Sequence, residues 1–112
     1  MEKIIKEILK FRNDRDWKQF HTPENLSKSI AIESGELLEH FQWGDEYNKE
    51  EVKDELADIL IYSILLSEAL DEDIFEIVRS KLNKNMKRFP INKVKGNSGK
   101  YTRVDDPNVE NI

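Results

Sequence analysis

The sequence contains no cysteine, which excludes disulfides, thiolate zinc sites, iron–sulfur clusters and cysteine nucleophiles. Its two histidines, His21 and His40, are too few for an all-histidine metal site, so any metal would be held by oxygen ligands. No apolar run reaches the ~18 residues that a membrane span requires. The first residues alternate in charge and contain no secretory apolar core, so we expect a cytoplasmic protein without a membrane partner.

Apolar residues make up 38% of the 112 residues and charged residues 37%, a balance typical of a small helical protein with solvated faces. This length predicts a single domain over residues 1–112 with a thin core. Charge is segregated although its net value is only −5, because acids dominate residues 33–58 and bases dominate residues 79–103. This polarity suits a polyphosphate ligand with a divalent cation, although two solvated helix faces are the simpler explanation of the charges alone.

Hydrophobic periodicity and capping signals predict four helices and no strand, hence an all-α fold of the four-helix-bundle type. The helices are predicted over residues 2–13, 23–43, 50–70 and 73–89. The second opens with Thr22 as N-cap and Pro23 at its first position, and it stops near Gly44. The helical core therefore covers about residues 2–89, and a polar, irregular tail follows over residues 90–112.

The third predicted helix is apolar over much of its circumference. A chain of four helices offers too little internal surface to cover such a helix. We therefore expect a homo-oligomer.

Two pairs of acids are spaced three residues apart on consecutive helices. Glu33 and Glu36 lie on the second helix, and Glu55 and Asp58 on the third, so each pair shares one helix face. Both pairs lie beside apolar stripes, so we expect them to face the protein interior. Ionised carboxylates ~4 Å apart repel each other by about 4 kcal/mol per pair, and a divalent cation reverses this repulsion. The set predicts a Mg²⁺ site, with Mn²⁺ as a substitute; one pair alone would be an ordinary acidic helix surface.

Other side chains are candidates for contacting a ligand. A row on one face of the fourth helix suits phosphates or a base edge, or else is an exposed basic face: Lys81, Asn85 and Arg88. Aromatic and histidine candidates for enclosing a base lie at helix edges or one turn after Asp58: Trp17, Phe20, His21, Trp43 and Tyr62. Packing against helix ends is the more ordinary role of such residues.

Longer runs around these candidates are more specific than the carboxylate spacing. They are Phe11-Arg12 followed by Arg15-Asp16-Trp17-Lys18-Gln19-Phe20-His21, Glu33-Ser34-Gly35-Glu36, Phe41-Gln42-Trp43, Glu55-Leu56-Ala57-Asp58, Arg88-Phe89-Pro90 and Lys100-Tyr101-Thr102. Over roughly residues 11–103, the sequence resembles the all-α, MazG-like nucleotide pyrophosphohydrolases, and in particular their dCTP pyrophosphatase subgroup.

The resemblance implies a Mg²⁺-dependent enzyme of nucleotide-pool housekeeping, assembled as a homodimer or as a homotetramer, a dimer of dimers. Its substrate would be a nucleoside triphosphate, dCTP or a modified pyrimidine deoxynucleotide, hydrolysed to monophosphate and pyrophosphate. The implied metal-binding and catalytic residues are Glu33, Glu36, Glu55 and Asp58. The implied substrate-binding residues are Trp17, Phe20, His21, Trp43, Tyr62, Lys81, Asn85, Arg88, Lys100 and Tyr101.

Two other functions remain open from the residues alone. One is a nucleotide-binding sensor without turnover, and the other is a helical protein-interaction module. We expect no nucleic-acid polymer as partner, because the acidic segment would repel its phosphates.

Overall fold

The computed structural model describes residues 2–96, which form helices joined by turns and contain no strand. The helices are α1 (Glu2–Asp14), α2 (Pro23–Glu39), α3 (Lys49–Ala69), α4 (Ile74–Arg88) and α5 (Ile91–Val94), with a 3₁₀ turn at Lys18–Phe20. The prediction of an all-α chain is confirmed. None of these helices is both long enough and apolar enough to cross a membrane.

The chain divides into two compact units, Met1–Ile74 and Phe75–Ile112. In the first unit, α2 and α3 pack along each other and α1 packs against α3. Its core is thin, as expected for this length: Leu26 of α2 is 1% exposed and Leu65 of α3 is 5% exposed. Most other large apolar side chains of these helices keep substantial exposed area.

Local hydrogen bonds explain where α2 and α3 begin. Thr22 is the N-cap of α2, and its Oγ1 accepts a hydrogen bond from the backbone N–H of Asn25 at 3.1 Å. The Asn25 side chain in turn donates to the carbonyl of Phe20 at 2.9 Å, which ties the 3₁₀ turn to α2. Asn48 caps α3, because its Oδ1 accepts from the N–H of Glu51 at 3.1 Å. The predicted start of α2 is confirmed.

The end of α2 differs from the prediction. The helix ends at Glu39, and the N–H groups of Phe41 and Gln42 donate to carbonyls three residues earlier. These tighter bonds replace the α-helical pattern four residues before the predicted stop. Gly44, at φ +143°, then turns the chain in a conformation that favours glycine.

The second unit contains α4 and α5. The predicted irregular tail includes α5, which begins because the Pro90 carbonyl accepts hydrogen bonds from the N–H groups of Lys93 and Val94. Proline ends α4 and serves as the N-cap of the next helix. Lys100 and Tyr101, both predicted to bind substrate, lie outside the described residues.

Candidate active site

Three carboxylates converge where α2 packs on α3. One oxygen each from Glu33, Glu55 and Asp58 lies within 4.8 Å of the other two. The helical spacing puts Glu55 and Asp58 on one side of α3, and the packing of α2 brings Glu33 to them. We call these three residues the carboxylate cluster. Its all-oxygen donors are those that Mg²⁺ and other hard divalent cations prefer.

The surroundings of Glu33 shift the pKa of its carboxyl group. Burial, followed by hydrogen bonding to Glu36 and the negative charges of Glu36 and Asp58, raises the pKa of Glu33 to about 7; hydrogen bonding to Glu55 adds to this. Its Oε2 is buried and has no hydrogen-bond partner among the described residues. Ionised carboxylates can only accept hydrogen bonds, so two of them cannot bond to each other. They need a proton or a cation between their oxygens. Glu33 therefore fits a divalent cation site.

Glu36, the fourth predicted ligand, lies beside the carboxylate cluster. It is exposed and supplies no oxygen to the group of three, but it is close enough to raise the pKa of Glu33. It also borders an open acidic face formed with Glu39, His40, Glu51, Asp54 and Glu55. Its role as a ligand stays a prediction.

His40 links the end of α2 to the acids of α3. Its Nε2 lies 3.5 Å from Oε1 of Glu55, and its Nδ1 lies 3.8 Å from Oε2 of Glu51. The histidine side chain is 20% exposed, whereas that of Glu51 is 65% exposed. No motif of the sequence assigned His40 a role, because this contact arises only when the two helices pack.

A cavity of about 450 Å³ lies between α1 and α3. Its lining includes three predicted substrate contacts, Trp17, His21 and Tyr62, and it also includes Asp58 of the carboxylate cluster. Phe11 meets Trp17 edge to face, with ring centroids 5.7 Å apart and an interplanar angle of 77°. We call this the aromatic cavity. Its walls suit a planar, uncharged group such as a nucleobase.

Two polar side chains of the aromatic cavity, Tyr62 and His21, have pKa values shifted toward their neutral forms. Burial, followed by the charges of Glu33, Asp58 and Glu36, raises the pKa of the Tyr62 hydroxyl above its usual value. Burial, and then the positive charge of Arg12, lowers the pKa of His21. The Nδ1 of His21 is buried without a partner among the described residues. Both side chains therefore remain available to a neutral, polar ligand.

The other predicted contacts are not brought to the aromatic cavity within the first unit. Phe20 is 59% exposed and Trp43 is 91% exposed, and neither lines the cavity. The predicted row on α4 belongs to the second unit, where Lys81 is exposed and Asn85 and Arg88 are half-buried. The roles of these residues stay predictions.

Arg12 belongs to a run that carries the family resemblance, but no role in the site was predicted for it from the sequence. It lines the aromatic cavity and is only 6% exposed. In the sequence it follows Ile4 and Ile8 at four-residue steps, so it occupies the apolar stripe of α1. A cation at such a position is the signal that could have identified it.

Known proteins are similar to this chain in sequence and in fold. The model of the MazG-like family matches residues 28–104. The chain is 34% identical over 112 residues to mouse (Mus musculus) dCTP pyrophosphatase 1, and the aligned region covers 91% of this chain and 66% of the mouse protein. It is 33% identical over 114 residues to the human (Homo sapiens) dCTP pyrophosphatase 1, covering 93% of this chain and 67% of the human protein.

A solved structure gives the same result for the fold. The crystal structure of a pyrophosphatase from Archaeoglobus fulgidus matches with a TM-score of 0.75 and 38% sequence identity, covering 80% of this chain and 92% of that one. This chain spans about two thirds of the length of its mammalian relatives. From the family match and these identities we conclude that the chain belongs to the MazG-like family.

Proposed function

We propose that this protein hydrolyses a nucleoside triphosphate to the monophosphate and pyrophosphate in a Mg²⁺-dependent reaction. One observation carries the proposal: Asp58 belongs both to the carboxylate cluster and to the lining of the aromatic cavity. A nucleoside in the cavity would therefore place its phosphates near the acids. The relatives named dCTP pyrophosphatase support dCTP as the substrate, and a modified pyrimidine deoxynucleotide is the alternative.

In the proposed reaction, the oxygen of a water molecule forms a bond to the α-phosphorus of the nucleoside triphosphate. The bridging P–O bond breaks, and its electron pair leaves with pyrophosphate. Glu33, Glu55 and Asp58, with Glu36 beside them, would hold the divalent cation. The bound cation supplies charge neutralisation on the phosphates and makes a nearby water more acidic. One of the glutamates takes the proton from that water.

The remaining predicted residues complete the proposal. Trp17 and Tyr62 enclose the base, and neutral His21 offers it a hydrogen bond. Lys81, Arg88 and Lys100 would neutralise the charge that gathers on pyrophosphate, and Asn85 and Tyr101 would contact the nucleotide. Charge stabilisation of this kind is usually a large part of the catalysis of phosphoryl transfer.

A pyrophosphate-release screen tests the proposed function. Canonical and modified nucleoside triphosphates are supplied with Mg²⁺, with Mn²⁺ or with EDTA, and we expect release with either cation and none with EDTA. Nucleotide binding without turnover would indicate a sensor instead. An absence of both turnover and thermal stabilisation by nucleotide plus Mg²⁺ would indicate an interaction module.

We also propose that the active form is a homo-oligomer, a dimer or a dimer of dimers. Apolar side chains of α2 and α3 are exposed in the single chain: Ile32 at 62%, Leu38 at 70%, Leu56 at 49% and Leu60 at 55%. Leu56 and Leu60 lie one turn apart on the same face of α3, and neighbouring exposed apolar side chains of this kind are typical of an interaction surface. The 91% exposure of Trp43 fits the same interpretation, because a second copy would cover it.

Replacing Leu38 by Glu tests this assembly. The charge would be buried in an interface at a cost of several kcal/mol, so we expect dissociation toward the 13.3 kDa monomer. Analytical ultracentrifugation measures the mass, and Lys6→Glu, which adds a glutamate at an exposed position of α1, serves as control. A wild-type protein that sediments as an active monomer would contradict the proposal.

A further inference from the structure

Arg12 is a nearly buried cation with unused hydrogen-bonding capacity. Its Nε donates to Oδ1 of Asn13 at 3.0 Å, and within residues 2–96 this is the only hydrogen bond of the guanidinium group. No carboxylate of those residues lies within ion-pair distance of it. Removing such a charge from water is costly unless the charge is paired. The four N–H bonds of its two terminal nitrogens have no acceptor within residues 2–96.

The aromatic cavity is where that partner would bind. Arg12 lines it together with the rings of Phe11, Trp17 and Tyr62. The unpartnered Nδ1 of His21 belongs to a second polar side chain of the same cavity. Flat apolar walls combined with a few unsatisfied polar groups are typical of a site that fixes the orientation of a planar ligand.

Resting on the proposed function, we infer that Arg12 reads the base, donating two hydrogen bonds to the adjacent acceptors N3 and O2 of cytosine. A guanidinium group has only donors, and its planar fork matches two neighbouring acceptors. Cytosine offers such a pair, whereas uracil and thymine carry a hydrogen on N3 that would oppose an arginine donor. Arg12 is thus the specificity-determining residue that favours cytosine over other pyrimidines.

Phosphate binding explains the position of Arg12 less well. The cavity around it is lined mainly by apolar and aromatic side chains, such as Ile4, Ile8 and Phe11. Asp58 of the carboxylate cluster lines the same cavity, but it forms no ion pair with Arg12, and Glu33 and Glu55 do not line the cavity. A phosphate-binding arginine would affect every nucleotide equally, and this distinguishes the two roles.

The test removes the acceptor from the substrate and the donor from the protein. In 3-deaza-dCTP a C–H group replaces N3, so wild-type kcat/KM is expected to fall by about 10- to 100-fold relative to dCTP. In Arg12→Met the analogue and dCTP should be hydrolysed with nearly equal kcat/KM, and preference over dUTP should fall by a similar factor. Lys10→Met is the control, because this lysine of α1 has a 74% exposed side chain, and it should keep the wild-type ratios.

Each outcome decides the question. Equal losses of Arg12→Met on dCTP, 3-deaza-dCTP and dUTP would overturn base reading and assign Arg12 to phosphate or to the fold. Equal use of dCTP and its 3-deaza analogue by the wild type would overturn it even if the variant failed to fold. If the wild type hydrolyses none of these nucleotides, the proposed function fails. Calorimetric binding of dCMP against dUMP then tests base reading alone, with tighter dCMP binding supporting it and equal binding overturning it.

Discussion

Asp58→Asn is expected to lower kcat/KM for pyrophosphate release by about 100- to 1,000-fold, the range found when one electrostatic group of an active site is removed. The amide keeps the shape of the side chain but removes the negative charge from the carboxylate cluster. Because Asp58 also lines the aromatic cavity, it is the residue where cation binding and nucleoside binding meet. The Mg²⁺ concentration needed for half-maximal activity should rise as well.

Asp54→Asn is the matched control for this variant. Asp54 lies one turn before Asp58 on α3 and carries the same charge, but it lines the open acidic face and supplies no oxygen to the carboxylate cluster. Its kcat/KM should stay within about twofold of wild type, since surface charges act weakly across solvent. Similar activities of the two variants, with intact helical circular dichroism in both, would contradict the assignment of the cluster.

Local sequence signals predicted the elements that depend on near neighbours. Thr22 and Pro23 specify the start of α2 through a cap and a fixed φ, and the structure has both. The convergence of Glu33 with Glu55 and Asp58 was predictable in part, because each acid lies beside an apolar stripe, but Asp58 and Glu36 are exposed, so the expectation that all four acids face the interior is wrong for these two. Burial of the stripes brings the acids together.

Features that depend on contacts between elements were not predictable in the same way. His40 contacts Glu55 because α2 packs on α3, and α2 ends at Glu39, whereas the sequence predicted an end near Gly44. Arg12 had a signal in its position on an apolar stripe, but only the packing of α1 on α3 shows that a cavity lies beside it. The exact end of a helix and the burial of a charged side chain depend on tertiary contacts, and hydrophobic periodicity does not predict these contacts.

The carboxylate cluster implies a conflict between stability and function. Glu33 is held near other acids in a half-buried position, which destabilises the cation-free protein whenever it is ionised. Functional sites commonly retain such destabilising arrangements because the ligand compensates for them. Removing the charge of Glu33 should therefore raise the stability of the cation-free protein and lower its stabilisation by the cation.

Glu33→Gln is expected to stabilise the cation-free protein above pH 7 and to lose most of the stabilisation by Mg²⁺. The pKa of Glu33, about 7 in the folded protein against a usual 4.5, means that the folded state binds this proton more tightly. Its contribution to the free energy of unfolding is therefore fully present below pH 4.5 and is lost as pH rises through 7. The variant lacks this dependence, which thermal melts in EDTA across pH 4–8 would measure.

Mg²⁺ provides the second half of the same test. A cation at 100 times its dissociation constant stabilises the folded wild type by about 2.7 kcal/mol, or roughly 10–20 °C in a domain of this size. Glu33→Gln should gain much less, whereas Glu39→Gln, which changes an exposed acid of the same helix, should respond like the wild type. If Glu33→Gln kept both the wild-type pH dependence in EDTA and the full Mg²⁺ response, the acids would not share one cation. Loss of both effects in Glu33→Gln alone would show that the proton and the cation compete for the same oxygens.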